Sequence, residues 1–262
     1  MLVVIAVLIA GFWGSYFSVW NNVPWEFHVH GVAASIWVLM VLAQSWTVHH
    51  GQLPLHRAVG KASLLLFPFL IGGLAAIIDL TAKGFVAADS PVRTGFGAQF
   101  LIGLALAVAA YIVLFYRALK FRRKVWQHSG YMLATPLILF ESPFSRVLGT
   151  WVPPFNVPDL NTIIPTILWS CAVELVIIAV LWWRFRDKAA PFLVAGIFIV
   201  GQMLTMGLLS DNAVLERMLV VIGNMPSAAV VMTGFAIGAA TSWGGWTAGK
   251  RPGVAAGVTA AA

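Results

Sequence analysis

Residues 26–61, EFHVHGVAASIWVLMVLAQSWTVHHGQLPLHRAVGK, contain an apolar segment of membrane-spanning length with polar residues at both ends. Five of the six histidines of the chain lie in this stretch, namely His28, His30, His49, His50 and His56. The sixth, His128, begins a later apolar segment. Because hydrocarbon penalises buried polar side chains, ionisable groups placed around a membrane helix mark functional sites by default. The stretch therefore predicts a transmembrane helix flanked by two groups of candidate functional residues.

The composition of the whole chain is typical of a membrane protein. Of 262 residues, 60% are hydrophobic and 10% are charged, whereas a soluble domain carries about 25% charged residues. Runs of about 20 apolar residues recur along the chain, as transmembrane helices require. The net charge of +7 does not indicate nucleic-acid binding, because nearly all basic residues lie in short loops between the apolar runs. A single cysteine, Cys171, excludes a disulfide framework and a cysteine-based zinc site.

Eight apolar spans can be counted, and none shows the alternation with a period of two that barrel strands have. We place them at residues 2–20, 30–48, 58–82, 96–118, 129–150, 163–184, 191–210 and 217–243. The first span lacks the basic segment and the cleavage site of a secretory signal, so we expect it to be retained. Pro226 falls inside the eighth span, where we expect a kink.

The basic residues indicate how the spans are oriented. Twelve of the 16 lysines and arginines lie in one set of loops and in the C-terminal tail, and the alternate loops hold the other four. By the positive-inside rule the first set is cytoplasmic. We therefore predict an all-α integral membrane protein, a bundle of about eight transmembrane helices with both termini cytoplasmic, in a bacterial inner membrane. Residues 1–249 form its single transmembrane domain and residues 250–262 a flexible cytoplasmic tail.

The outer half of the predicted bundle collects two imidazoles and two carboxylates, from His28, His30, Asp79 and Glu141. Such side chains together form a ligand set for iron, zinc or manganese, so these four residues are our candidate metal site. Two other interpretations stay open. In one, the role is structural, because Glu141 pairs with Arg146 and Asp79 reaches the membrane surface. In the other, the set passes protons or a solute.

The inner ends of spans 2, 3 and 5 carry the remaining four histidines. His56 and His128 are our candidates for axial haem ligands or for a non-haem metal site. Arg57, beside His56, offers a positive charge for a phospholipid headgroup or a haem propionate. His49 and His50 point about 100° apart on a helix, so they cannot both face one ligand. Histidines at membrane interfaces also occur without any ligand.

Two further features lie within the predicted spans. His30, Trp37 and Gln44 follow one another at intervals of seven on one face of the second span. Such a stripe is typical of helix packing with a hydrogen-bonded glutamine. Glu174 lies near the middle of the sixth span, where its carboxyl group must be protonated, paired or in contact with water.

Two stretches of the chain resemble a family of bacterial multi-pass membrane proteins that has no established activity. The first contains FHVHG at 27–31, then Trp37, Gln44 and LHRAVGK at 55–61. The second, HSGYMLATPLILFESPFSR at 128–146, is similar to that family's pattern HxxxMxAT followed by a glutamate and, five positions later, an arginine. The resemblance covers spans 2 to 5 and implies a helical membrane fold. It singles out His28, His30, His56, Arg57, His128, Glu141 and Arg146.

Three functions are consistent with these residues. The leading hypothesis is a redox protein that binds a metal ion or haem, with Arg57 and Arg146 neutralising anionic ligand groups or carboxylates. The competing hypothesis is a proton-linked small-molecule transporter with intramembrane relays at Asp79, Glu141, Glu174 and Arg146. The third is an accessory subunit whose apolar surface packs against other membrane proteins. The expected partners are membrane lipids and either other membrane subunits or a second copy of the chain, with no nucleic acid.

Overall fold

A computed structural model of the protein describes residues 2–156, 160–210 and 212–250, and in these ranges it contains helices and no strand. The α-helices of this part are α1 (Leu2–Phe12), α2 (Trp25–His49), α3 (Leu53–Ala87), α4 (Pro91–Lys120), α5 (Val125–Trp151), α6 (Ile163–Phe185), α7 (Ala190–Leu208), α8 (Ala213–Gly223) and α9 (Ser227–Ala248). The all-α fold is therefore confirmed. The predicted tail at 250–262 lies outside the described residues apart from Lys250.

Six helices are long and apolar enough to cross a membrane by length and composition, namely α2, α3, α4, α6, α7 and α9. A helix satisfies its own backbone hydrogen bonds, which is the condition for crossing hydrocarbon. The shortest of the six, α7, has 19 residues and is ~28 Å long, close to the ~30 Å of a bilayer core. Helix α5 has 27 residues but carries His128, Glu141 and Arg146, and it is not among the six. The fold fits a multi-pass membrane protein.

The structure differs from the prediction of one continuous helix over residues 2–20. Helix α1 ends at Phe12, a turn follows at residues 13–16, and a 3-10 helix occupies Phe17–Asn22. The turn contains Gly14 and Ser15, which favour helices less than the apolar residues before them. With 11 residues, α1 is ~16 Å long, about half the thickness of the hydrocarbon core.

The predicted span over residues 217–243 is likewise divided, into α8 and α9. The helix ends at Gly223, and the Asn224 side chain donates a 2.7 Å hydrogen bond to the carbonyl of Val220. Proline disfavours a helical conformation in the residue before it, so the chain leaves the helix before Pro226. Instead of the kink that we expected, Pro226 precedes the first residue of α9.

Contacts between helix ends define the two ends of the bundle. At the basic end, the ring of His56 on α3 lies against that of His128 on α5, and the indole of Trp126 on α5 donates to the Lys188 carbonyl between α6 and α7. The guanidinium of Arg122, in the turn after α4, donates to the Trp246 carbonyl of α9. At the opposite end, three other contacts connect the chain after α1, α2, α3, α5 and α9: Tyr16 with His28, Lys83 with Ser227, and Arg146 with Phe12. The basic loops therefore share one end, as the charge pattern predicts.

An aromatic layer lies inside the bundle between the two ends. It consists of Trp37 of α2, Phe67 of α3 and Phe115 of α4, and each ring is fully buried. The rings of Phe67 and Phe115 stack at 4.2 Å, and Trp37 lies 5.5 Å and 5.2 Å from them. The indole N–H of Trp37 donates a 2.9 Å hydrogen bond to the hydroxyl of Thr135 on α5. One predicted stripe residue thus anchors four helices to one another.

Glycines bring the backbone of α3 against helices on two sides. A Cβ at Gly73 would lie 2.9 Å from the Cα of His30 on α2, and a Cβ at Gly238 of α9 would lie 2.7 Å from the Cα of Pro68. Real Cβ atoms do not approach that closely, so only glycine fits at these crossings. Close approach through small residues is a common way for membrane helices to pack. Helices α2, α3 and α9 therefore pack backbone to backbone.

Candidate functional site

Glu174 is the single acidic residue of α6, and its side chain is buried in the bundle. It lies eleven residues from each end of Ile163–Phe185 and is 1% exposed. Its Oε1 atom accepts no hydrogen bond from the residues that the structure describes. An unsatisfied buried polar atom costs about 1–3 kcal/mol. From the sequence, Glu174 belonged to neither the metal nor the cofactor set and was named only as a relay in the transporter hypothesis.

Three side chains from three helices interact electrostatically with the Glu174 carboxyl group. They are Glu141 of α5, Tyr111 of α4 and Cys171, one turn earlier on α6. We call these four residues the central cluster. The Tyr111 hydroxyl is buried and, within the described ranges, has no hydrogen-bond partner either. The cluster therefore holds a phenol and a carboxyl oxygen whose hydrogen-bonding capacity is unused.

Sequence reasoning missed Tyr111 and Cys171 as members of this cluster. Cys171 and Glu174 are three residues apart, a spacing that places both on one helix face. Their proximity could therefore have been predicted from the sequence. Tyr111 lies nine residues from the basic end of α4 and Glu174 eleven from the basic end of α6, which are depths of ~14 and ~16 Å. The sequence therefore showed that Tyr111 and Glu174 lie at similar depths. It did not show how α4 and α6 are rotated about their axes, and that rotation brings the two side chains together.

The four residues predicted to bind a metal occupy separate places. His28 lies between Tyr16, whose hydroxyl is 3.2 Å from its Nδ1, and the ring of Trp20 at 4.4 Å. His30 packs against Gly73 of α3. Within the described part of the chain, no three His, Cys, Asp or Glu side chains are grouped to hold a metal ion. The site of His28, His30, Asp79 and Glu141 stays a prediction for which the structure provides no preformed ligand cluster.

Asp79 is fully buried and forms an ion pair within α3. The Nζ atom of Lys83 lies 2.6 Å and 2.8 Å from its two carboxylate oxygens and 2.5 Å from the hydroxyl of Ser227. Ser227 is the first residue of α9, so the lysine links α3 to that helix. The spacing of four residues is the one that favours an ion pair on a helix. We therefore assign Asp79 and Lys83 to helix packing at the opposite end.

Arg146 does not form an ion pair with Glu141 of the kind that the sequence allowed. Its Nη1 donates to the carbonyl of Ser142 at 2.7 Å and to the Ser142 hydroxyl at 2.9 Å. The ion pairs among the described residues are those of Asp79 with Lys83 and Asp89 with Arg93. The charges of Arg146 and Glu141 nevertheless interact over a longer distance.

At the basic end, His56 and His128 do come together, with ring centroids 6.4 Å apart and planes at 88°. The Nδ1 of His128 is 2.9 Å from the carbonyl oxygen of Ala118. A carbonyl only accepts, so Nδ1 carries the proton and the lone pair is on Nε2. Arg57 is exposed. The Nδ1 atoms of His49 and His50 each form a hydrogen bond with the backbone carbonyl four residues earlier in α2.

The fold and these contacts fit a multi-pass membrane protein in which the adjacent helices α5 and α6 each carry a carboxyl group, with Glu174 buried and Glu141 half-buried. No protein-family model, no curated protein and no solved structure matches the chain. The resemblance to a family of bacterial membrane proteins therefore stays a prediction. Function has to be derived from the positions of the polar groups.

We predict that Lys83→Met lowers the free energy of unfolding by about 1–3 kcal/mol, because it leaves the Asp79 carboxylate buried without its cation. The effect is below that of a fully buried pair because Lys83 is 38% exposed. The double variant Asp79→Asn, Lys83→Met should recover at least half of the loss. Equilibrium unfolding in mixed micelles, followed by circular dichroism, measures both. Equal losses in the single and double variants would contradict this assignment.

Proposed function

We propose that the protein is a proton-linked carrier of a small molecule and that Glu141 and Glu174 share the proton involved. The observation that supports this most directly is the position of Glu174. It lies in the middle of α6, is 1% exposed, and interacts with a second carboxyl group on the adjacent α5. Ionisable residues inside a membrane protein commonly serve as proton relays.

The energetics of the pair favour one proton held between two carboxyl groups. An ionised carboxylate is costly in an apolar interior, and a second negative charge beside it adds repulsion. Sharing one proton between the two carboxyl groups would avoid both costs. The Tyr111 hydroxyl interacts with Glu174 and provides a donor that can stabilise the remaining negative charge.

Polar groups lie on both sides of the aromatic layer. This distribution supports a carrier rather than a buried carboxyl pair with no polar groups leading to it. Towards the basic end, Gln44 lies seven residues from Trp37 and His56 eleven residues from Phe67, which are ~10 and ~16 Å along their helices. The Nε2 of Gln44 and the Nδ1 of His56 are buried and lack hydrogen-bond partners among the described residues. The hydrogen-bonded glutamine that we expected is therefore not found. Rearrangement of the aromatic layer would connect these groups with the central cluster.

We predict that Glu174→Gln removes a carboxylic acid carbonyl band from the infrared spectrum and slows proton flux about tenfold or more, since about 1.4 kcal/mol of barrier corresponds to tenfold. Flux is measured in liposomes that contain a pH-sensitive dye, after an external pH jump. Glu141→Gln should affect both readings in the same direction. Glu216→Gln, on α8 at the opposite end, is the matched control and should leave both unchanged.

The proposal of a shared proton fails if the acid band persists in both Glu141→Gln and Glu174→Gln. It also fails if the wild-type protein and all three variants conduct protons equally.

We also propose that the basic end faces the cytoplasm of a bacterial inner membrane, with about eight spans and both termini inside. The charge of the loops supports this orientation. In this topology the last crossing is made by α9. Arg123→Cys should then be labelled by an impermeant maleimide only in inverted vesicles, and Arg217→Cys in intact cells. The reverse pattern would overturn the orientation.

The second candidate function is the redox protein, and His128 is the residue that favours it. Its Nδ1–H is held by the carbonyl of Ala118, the arrangement that orients metal-binding histidines. Two imidazoles supply two ligands, whereas structural zinc takes four and catalytic zinc three protein ligands. A haem would need no more than two imidazoles from the protein, so His56 and His128 would hold a haem more readily than a bare ion, and Arg57 would be available to a propionate.

If the redox function holds, the purified protein should show a Soret band that His128→Ala removes. His49→Ala is the control, because His49 is exposed and bonds to the carbonyl of Ser45 in its own helix. Metal analysis of the same sample covers the non-haem alternative. A colourless and metal-free wild-type preparation would leave this candidate without support.

A further inference from the structure

A pocket of about 310 Å³ opens at the opposite end of the bundle, between the end of α1, the turn after it and the last turns of α5. Arg146, Thr150 and Trp151 line it from α5, and Trp13 and Gly14 from the turn. Ser15 of the turn also lines it, so the pocket combines one guanidinium, two hydroxyls and two indoles. This pocket lies apart from the central cluster, and the proton-linked function does not require it.

The walls of the pocket are held in place by contact between the two helices. A Cβ at Gly11 of α1 would collide with the backbone of Pro143 on α5, so the two helices touch through their main chains. The ring of Phe12 then lies beneath Arg146, with the guanidinium carbon 4.9 Å from the ring centroid. Such a cation–π contact fixes the side chain while leaving its edge free for hydrogen bonds.

The charge of Arg146 is only partly used by the protein. Both hydrogen bonds of its guanidinium, to the carbonyl and the hydroxyl of Ser142, come from Nη1. In the described ranges, no carboxylate lies within 4.0 Å of it. The N–H groups on Nε and Nη2 form the planar fork that matches the two oxygens of a carboxylate or phosphate. A cation in this position favours an anion as its ligand.

We infer that this pocket is a binding site for an oxyanion, a carboxylate or phosphate group, attached to an apolar body. The oxyanion binds the guanidinium of Arg146, and the apolar body lies against the indoles of Trp13 and Trp151. Indoles accept such a body because they are amphipathic and rigid. The same chemistry is presented by an anionic phospholipid headgroup and by a water-soluble organic acid.

Two binding experiments on the purified full chain in detergent distinguish these sources. In the first, native mass spectrometry compares retention of phosphatidylglycerol with retention of phosphatidylcholine of the same acyl chains. In the second, thermal melting compares stabilisation by hexanoate and hexyl phosphate with that by the uncharged hexanamide. Neither experiment measures transport, so failure of the proton-linked function would not affect the result.

The variants isolate the arginine and the pocket separately. Arg146→Gln removes the charge, and Arg146→Lys keeps the charge but loses the planar fork. Gly14→Leu adds an apolar side chain at the wall of the pocket and leaves the arginine intact, because a Cβ at Gly14 would meet no atom within 4 Å. Arg217→Gln, on α8 at the same end, is the control for loss of one positive charge.

We expect Arg146→Gln, which loses the charged hydrogen bonds, to weaken oxyanion binding about tenfold or more, and Gly14→Leu, which narrows the pocket, to weaken it by a similar factor. Arg146→Lys should lose less, and Arg217→Gln should match the wild type. Loss confined to phosphatidylglycerol assigns the site to lipid, and loss confined to hexanoate and hexyl phosphate assigns it to a soluble acid. Binding that is absent in the wild type, or unchanged in both Arg146→Gln and Gly14→Leu, overturns the inference.

Discussion

Hydrocarbon offers no hydrogen-bond partners, and for a protein with these apolar helices this constraint governs where the polar groups of the helices lie. The backbone meets it by forming helices over most of the described residues. Side chains meet it by pairing locally, as Asp79 does with Lys83, or by turning inward. Buried polar atoms that lack a partner are the exceptions, and they indicate where function lies. In the part of the chain that is described, Glu174, Tyr111, His30 and His56 each bury a polar atom without a partner. Each is a cost that stability alone does not explain.

The helical membrane class was readable from the sequence because it depends only on composition along the chain. Hydropathy located α2 to α7 within a few residues, but it did not register the turn at Gly14 or the interruption before Pro226. Both are local backbone effects that an average over about 20 residues hides. The division at Pro226 turned one predicted span into α8 and α9. The number of helices that cross the membrane therefore depends on features shorter than a span.

The candidate residues divide in the same way. The pair of Asp79 and Lys83 follows from a spacing of four on one helix, so it could have been derived from the sequence. The association of Glu174 with Glu141 and Tyr111 depends on the rotations of three helices about their axes. Those rotations are set by side-chain packing across the bundle, such as the bond of Trp37 to Thr135. A single sequence does not encode them in any readable periodicity.

The glycine crossings of α3 also bear on how the bundle can move. The close backbone packing at Gly73 and Gly238 leaves no room for α2 and α9 to slide along α3. Helices α5 and α6 contact each other away from these glycine crossings. The two carboxyl groups of the central cluster sit on these two helices. Any sliding of α6 along α5 would change the distance between these two carboxyl groups. A movement of the helices would therefore also change how strongly the pair holds a proton.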